Sequence, residues 1–210
     1  MNFSRSLTSP LETMARSLAL FIVCLAAASL ALAANEVEVS AVRFNSVRAP
    51  GGSTSQWLEV AVALVVHPPA GSPGQMVSNV KVALMCAFES AGPGEKRTEY
   101  YRAEAECIAL EAGRTDVRFY LPPELIKRDQ LRPEPRQWGV ELMVGEKPIP
   151  PGRAAYSSSL GSSEQRKRFV ESSLRGSLRN AGCLLPQYLS PFVSEYPRST
   201  PSFVRREATR

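Results

Sequence analysis

Alternation of apolar and polar side chains in several segments most constrains what this chain can fold into. From Gln56 to Val66 the sequence reads QWLEVAVALVV, and every second residue from Leu58 to Val66 is a leucine or valine. Successive side chains of a β-strand point to opposite faces, so a period of two predicts a long central strand with one buried face. The segment ends at His67-Pro68-Pro69, where proline removes the backbone donor that a further strand would need.

Two further segments, Val77 to Phe88 and Glu99 to Leu110, repeat this pattern on either side of a turn at Ala91-Gly92-Pro93-Gly94. Together they predict an antiparallel hairpin. The predicted inward residues are Val80, Val82, Leu84, Cys86 and Phe88 in the first strand, and Tyr101, Ala103, Ala105, Cys107 and Ala109 in the second.

Weaker patterns extend the sheet structure at both ends. Residues 36–44 alternate with a phase slip near Ala41, which indicates an edge strand with a bulge. Strands are also expected over 115–121 and 136–144, joined by a short crossover helix that opens at Pro122-Pro123 and ends near Arg128. Residues 148–152 are expected to be irregular and 154–160 to add a last strand, so the sequence predicts a mainly β protein of six or seven strands.

The pattern changes at Ser163, where one amphipathic helix is expected. Val170, Leu174 and Leu178 recur every four residues as its apolar stripe, and Gly182 follows as a stop. From Gln187 onward the chain is rich in proline and aromatic residues, which indicates an extended tail that wraps over the domain or docks on a partner. The predicted partner contacts are Tyr188, Phe192, Tyr196, Phe203, Arg205 and Arg206.

The N-terminus predicts export. Leu18 to Ala34 contains one polar side chain, Ser29. The segment is preceded by Arg16 and includes the small-residue ending Ala31-Leu32-Ala33. This pattern is typical of a cleaved signal peptide, so we expect no retained membrane span and a location in the periplasm or at the outer surface. The expected division is a signal peptide at 1–33, a β-sandwich at 34–162, and a C-terminal helix with a basic tail at 163–210.

The basic charge belongs to the C-terminal region. Residues 163–210 carry nine Arg or Lys against four Glu, whereas residues 34–162 have a net charge of −1. A body without excess positive charge predicts no nucleic-acid partner.

The cysteines leave two alternatives open. Cys24 lies in the predicted signal peptide, which leaves Cys86, Cys107 and Cys183. Because Cys86 and Cys107 both fall on predicted buried faces, one alternative is a disulfide between them that closes a loop of about 22 residues. The other is two buried thiols, since the simplest register through the turn does not set these residues opposite each other.

No catalytic or cofactor-binding pattern is present. His67 is the single histidine, and no Cys/His metal spacing, nucleophile motif or phosphate-binding loop occurs. Glu104 and Glu106 share a strand face, where outward glutamates are more simply explained by solubility and edge protection. The sequence therefore predicts neither an enzyme nor a cofactor. Trp57 and Trp138 near strand starts are either packed aromatics or a platform for sugar rings.

Several segments together resemble one family. They are WLEVAVAL, VSNVKVAL, YYRAEAECIALEAG, VRFYLPPELIKRD, LLPQYLSPF and the RR-containing end. This order is similar to the pilus-like secreted proteins of Verrucomicrobia, which are associated with a type IV pilus gene cluster. The resemblance implies an immunoglobulin-like β-sandwich related to archaeal type IV pilins, with no enzymatic residues to carry over. A filament-forming pilin keeps its apolar N-terminal helix, whereas the ending Ala31-Leu32-Ala33 predicts removal.

The sequence and the resemblance together predict a non-enzymatic component or accessory of a pilus-like or secretion assembly. Its expected partners are other envelope or pilus-assembly proteins, or further copies of the same chain. The alternative is a carbohydrate-binding module or adhesin that contacts mucin-like glycans through Trp57 or Trp138.

Overall fold

A computed structural model describes residues 35–51, 54–90, 97–197 and 199–205, and within them the chain forms nine strands and two α-helices. The strands are β1 (Val37–Arg48), β2 (Gln56–Val66), β3 (Met76–Glu89), β4 (Thr98–Glu111), β5 (Gly113–Leu121), β6 (Gln137–Val144), β7 (Lys147–Ile149), β8 (Leu185–Pro186) and β9 (Ser202–Phe203). The helices are α1 (Pro123–Arg128) and α2 (Ser163–Gly176). The predicted signal peptide, the predicted turn at 91–94 and Arg206 lie outside the described residues.

The strands form two antiparallel sheets. Sheet 1 has the order β1-β2-β5-β8, and sheet 2 has the order β7-β6-β3-β4-β9. In immunoglobulin terms, β1-β2-β5 correspond to strands A-B-E and β7-β6-β3 to G-F-C, with β4 added beside C. The prediction of a mainly β, immunoglobulin-like sandwich is confirmed.

The core lies between the inward faces that alternation predicts. In β2, Leu58, Val60, Val62, Leu64 and Val66 are each no more than 3% exposed. In β3, the five residues predicted to face inward are fully buried. Burial of apolar side chains on both inner faces is what holds two sheets together, at roughly 25 cal/mol for each Å² removed from water.

The edge strand and the hairpin are confirmed in most details. β1 is the edge of sheet 1, and its pairing with β2 shifts between Val39 and Ala41, where a bulge was expected. β3 and β4 pair antiparallel as predicted. The inward phase of β4 changes near its end, however, where Asn79 in the partner strand has a φ of 55° and the pairing of β4 with β9 shifts between Cys107 and Ala109. Leu110 is consequently buried, whereas the predicted Ala109 is only half-buried.

The segment after β6 differs from the prediction. Pro148 and Ile149, expected to begin an irregular stretch, pair with β6 as part of the short strand β7. The strand expected over 154–160 does not form, and the chain makes a 3-10 turn at Arg153–Ala155 and a single bridge from Tyr156 to Gly139. A second turn follows, in which the Leu160 amide donates to the Ser157 carbonyl over 2.9 Å, so the segment cannot stay extended.

Both helices lie where they were predicted. α1 opens with proline in its first turn and connects β5 of sheet 1 to β6 of sheet 2. In α2, the Ser162 side chain accepts from the Gln165 amide over 3.1 Å and the Gln165 side chain accepts from the Ser162 amide over 3.0 Å, which is a capping box.

The predicted apolar stripe of α2 is wrong. Leu174 and Leu178 are 45% and 76% exposed, and Val170 is half-buried. The helix and its 3-10 extension pack instead through buried Phe169, Ser173, Ser177 and Asn180. This face also recurs about every four residues, and its small side chains let the helix approach the sheet closely. At Gly176 an added Cβ would lie 2.5 Å from a ring carbon of Tyr100.

None of the helices in the described part of the chain is long and apolar enough to cross a bilayer.

Candidate functional site: the tail clamp on sheet 1

The outer face of sheet 1 carries a row of charged and polar side chains. The outward positions of β2 are Glu59 and the two small residues Ala61 and Ala63. Their partners on β5 are Tyr120, Arg118 and Asp116, in that order. Because alanine leaves space above the sheet, the long Arg118 side chain can lie across it and reach acidic groups on either side.

These groups form a closed network. The Tyr120 hydroxyl donates to Glu59 Oε2 over 2.8 Å, and Arg118 Nε lies 3.9 Å from the same oxygen. Arg118 Nη2 also donates to Asp116 Oδ2 over 2.7 Å, and Arg43 donates to Asp116 at 3.0 Å. Glu59 and Arg118 are only 4% and 6% exposed, so their charges compensate each other away from water.

The network raises the pKa of the Tyr120 phenol. Burial is the main cause, and the neighbouring Glu59 carboxylate adds to it. The phenol therefore stays protonated and acts as a donor to Glu59 throughout the neutral range.

The C-terminal tail covers this face. β8 pairs with β5 at Phe119 and Tyr120, which places the following residues over sheet 1. Phe192 stacks on Tyr120 with a ring-centroid distance of 4.2 Å and an interplanar angle of 5°, and it meets Trp57 edge-on at 5.7 Å. The Arg118 guanidinium lies 4.2 Å from the centroid of the Tyr196 ring.

Gln187 organises the tail from within. It is 1% exposed, and its side-chain amide donates to the Phe192 carbonyl over 3.1 Å, the Glu195 carbonyl over 2.8 Å and Thr200 Oγ1 over 3.1 Å. The two N–H groups of this buried amide are shared among three acceptors, and they fix a segment that has almost no regular secondary structure. Further along, β9 pairs with β4, so the tail joins one edge strand of each sheet. We call this arrangement the tail clamp: Glu59, Arg118, Tyr120, Gln187 and Phe192.

The structure divides the residues that were predicted to contact a partner. The prediction of a partner contact is wrong for Phe192, because its ring is buried against the chain's own Trp57 and Tyr120. Tyr188 and Phe203 are half-buried and meet at a centroid distance of 5.2 Å. Tyr196 is 41% exposed and Arg205 is exposed.

Sequence reasoning missed two apolar side chains on the outer side of the tail. Leu189 is 58% exposed and Val193 is 46% exposed, and both flank the buried Phe192 in sequence. Together with Tyr196 they are the exposed large apolar side chains in the described part of the tail, and we call these three residues the tail surface: Leu189, Val193 and Tyr196. No periodicity marks these positions, because 3-10 and turn conformations set which residues face outward.

Both tryptophans of the alternative sugar platform are half-buried. Trp57 is half-buried beneath the tail, and Trp138 is half-buried with its ring centroid 6.2 Å from that of Phe44. In both cases packing within the chain takes up ring surface that stacking on a sugar would need.

Of the two alternatives left open for Cys86 and Cys107, the disulfide is wrong. Cys86 lies opposite Tyr101 and Cys107 opposite Val80, so the two cysteines are six residues apart along β4, roughly 20 Å. Cα atoms must approach within about 7 Å to be bridged, and all three described cysteines are free. Burial raises the pKa of both inward thiols, to about 12 for Cys107. The alternative of two buried thiols describes this conformation.

Within the described residues, no group of three His, Cys, Asp or Glu side chains is arranged to hold a metal ion. The tail clamp holds its charges in mutual pairs beneath a covering segment, so the clamp itself is a structural device and its outer surface is the part that faces solvent.

A comparison with protein-family models finds no match, and no curated protein matches either. Among solved structures, a protein from Akkermansia muciniphila aligns with a TM-score of 0.64 and 15% sequence identity, over 83% of this chain and 95% of that chain. The likeness is one of fold. It extends across nearly the whole of that protein.

Proposed function

We propose that this chain is a non-enzymatic exported protein, a component or accessory of a type IV pilus-like or secretion assembly that acts through protein-protein contacts. The observation that carries the proposal is the tail surface. Leu189, Val193 and Tyr196 are held outward by a segment whose neighbouring residues are fixed in the clamp. Exposed apolar side chains on a preorganised segment suit association, since little conformational freedom is lost on binding.

The sequence supports the same proposal. Its N-terminal pattern is that of an exported protein, and its segments resemble verrucomicrobial pilus-like proteins. The solved structure with a related fold comes from a verrucomicrobial organism, which agrees with that resemblance. In this proposal the protein works in the periplasm or at the outer surface, without a cofactor and without a nucleic-acid partner.

The structure determines how the proposal should be tested. Deleting 187–210 would remove Gln187, Phe192 and β9 together with the tail surface. A loss of binding could then result from uncovering sheet 1 and would not test the tail surface itself. A Leu189→Ser/Val193→Ser double variant changes the surface alone. The matched control is Leu178→Ser in the 3-10 extension of α2, because Leu178 is 76% exposed and lies outside the tail.

We expect the double variant to lose envelope proteins that the unchanged chain captures from extracts of its own cells, while Leu178→Ser keeps them. The captured proteins are identified by mass spectrometry, and thermal unfolding verifies that all three forms are folded. Recovery of the same proteins by the double variant would refute the role of the tail surface.

A further inference from the structure

A groove of about 420 Å³ lies on the outer face of sheet 2. Its floor is Ala83 of β3, and its sides are Glu104 of β4 and Glu141 of β6. Prolines from the segment that follows β6, with Tyr156, line it further. Its volume falls in the range of roughly 300 to 1,000 Å³ that is usual for small-molecule sites, and none of its lining residues belongs to the tail.

The charged side chains that line the groove are two acidic and two basic. Glu104 and Glu141 lie opposite Ala83 on the two neighbouring strands, so their Cβ atoms are about 10 Å apart across a small floor. Lys81 precedes Ala83 by two residues and lies opposite Glu106, and Arg102 lies opposite Met85, two residues beyond Ala83. The lining has no excess charge, so a neutral ligand fits it better than an ion does.

One donor of this groove lacks a partner among the described residues. Arg102 pairs with Glu104 through its terminal nitrogen, but its Nε is buried with no hydrogen-bond partner in that part of the chain. A buried polar group without a partner is costly, so this donor favours a ligand that supplies an acceptor. Tyr156 also lines the groove, and the centroid of its ring lies 5.3 Å from the Arg166 guanidinium.

The sheet geometry argues against an extended peptide. β3 is paired along its length with β4 on one side and with β6 on the other, so its backbone has no free edge at the groove. Strand addition needs such an edge. Recognition here must come from side chains, which suits a ligand that carries many hydroxyl groups of its own.

We propose that this groove binds a neutral oligosaccharide of about disaccharide size. The carboxylates of Glu104 and Glu141 accept from sugar hydroxyls, while Arg102 Nε and the Tyr156 hydroxyl donate to sugar oxygens. Pro150 and Met143 pack against the C–H faces of the rings. This site is independent of the tail surface and of the two tryptophans, so it does not depend on the proposed assembly function.

The test is isothermal titration calorimetry of the full chain with lactose, cellobiose and N,N′-diacetylchitobiose at millimolar concentrations. The variants are Tyr156→Phe, which keeps the ring that packs over Gly139, and Glu141→Gln, which keeps the shape of an exposed side chain. Glu38→Gln, on the exposed face of β1, is the matched control. The dipeptide Lys-Lys serves as a charged ligand.

We expect at least one disaccharide to bind, Tyr156→Phe and Glu141→Gln each to weaken it by about five- to tenfold, and Glu38→Gln to leave it unchanged. The absence of binding by all three sugars would overturn the proposal. Sugar affinities of both groove variants equal to that of the unchanged chain would also overturn it. So would binding of Lys-Lys at least as tight as that of the sugars.

Discussion

The outer faces of the two sheets differ in how far their outward polar side chains are covered. On sheet 1 the outward charges of Glu59, Arg118 and Asp116 pair with one another beneath the tail. On sheet 2, α2 covers the end near Tyr100 and Gly139, while the other end stays open as the groove with Glu141 unpaired among the described residues. The alternation is the same on both, so the covering segment decides whether outward polar residues become structure or a surface for ligands.

The largest expected effect comes from uncovering sheet 1 at Phe192. Phe192→Ala removes a ring that stacks on Tyr120, and we expect a loss of about 4 kcal/mol in the free energy of unfolding. Urea unfolding followed by Trp57 fluorescence measures it. Val193→Ala, at the neighbouring exposed position, should change stability by less than about 0.5 kcal/mol. Similar losses in the two variants would show that the tail does not pack on this face.

Breaking the charge network should have the next largest effect. Glu59→Ala leaves Arg118, which is 6% exposed, with Asp116 as its remaining acidic partner and removes the acceptor of the Tyr120 hydroxyl. We expect a loss of about 3 kcal/mol in urea unfolding. Glu38→Ala on the exposed face of β1 is the control, and it should be almost neutral. A neutral Glu59→Ala would mean that the network contributes nothing to holding the tail.

The covered end of sheet 2 depends on a glycine. Gly176→Ala would place a Cβ 2.5 Å from the Tyr100 ring, so we expect a loss of about 2 kcal/mol as α2 is pushed from the sheet. Gly152→Ala meets no atom within 4 Å and should be nearly neutral. Thermal unfolding of both variants makes the comparison, and equal stability would contradict the close approach of α2.

The core thiols offer a pH test of the same packing. Because burial raises the folded-state pKa of Cys86 and Cys107 above the ordinary value, the free energy of unfolding is highest below the unfolded-state pKa. It falls as the pH rises from there towards the folded-state pKa. We expect each thiol to cost about 1 kcal/mol of stability at pH 9. Urea unfolding at pH 7 and pH 9 measures the loss, and Cys107→Ala should reduce it.

Thiol titration in a Cys24→Ala background verifies that Cys86 and Cys107 are free thiols. Half-buried Cys183 should react with a disulfide reagent in the native protein, and all three thiols should react after denaturation without reductant. A single reactive thiol after denaturation would show that Cys86 and Cys107 are joined.

The smallest effect should come from the open end of sheet 2. Glu141→Gln changes an exposed carboxylate without a partner among the described residues, so its free energy of unfolding should stay within about 0.5 kcal/mol of the original. Chemical denaturation makes the measurement. A large loss would mean that Glu141 is structural and that the groove is not a free surface.

Sequence predicted the sandwich well wherever burial on one face imposed a period of two. β2 has the predicted bounds, and the phase slip near Ala41 located a real bulge, because a one-residue slip moves every later side chain to the other face. The stripe of α2 failed for a different reason. Leucines at 174 and 178 look like a core face, but close packing selected the smaller residues around Ser173 and Gly176.

The candidate sites were beyond sequence reasoning for related reasons. Tail residues such as Gln187 and Phe192 follow no period, so their burial depends on contacts with strands more than sixty residues earlier. The groove residues Glu104 and Glu141 become neighbours of Ala83 only through the pairing of three strands. Glu104 was correctly read as outward-facing, but nothing in the sequence indicated that Glu141 lies across from it.

The most direct test of the central proposal is site-specific photo-crosslinking in living cells at Val193, with Glu38 as an exposed control position outside the tail. We predict that a crosslinker at 193 captures envelope or pilus-assembly proteins, or a second copy of the chain, and that these products are absent at 38. They should also disappear when Leu189 is changed to Ser in the same chain. No specific product at 193, or the same products at both positions, would contradict the proposal that the tail surface binds partners.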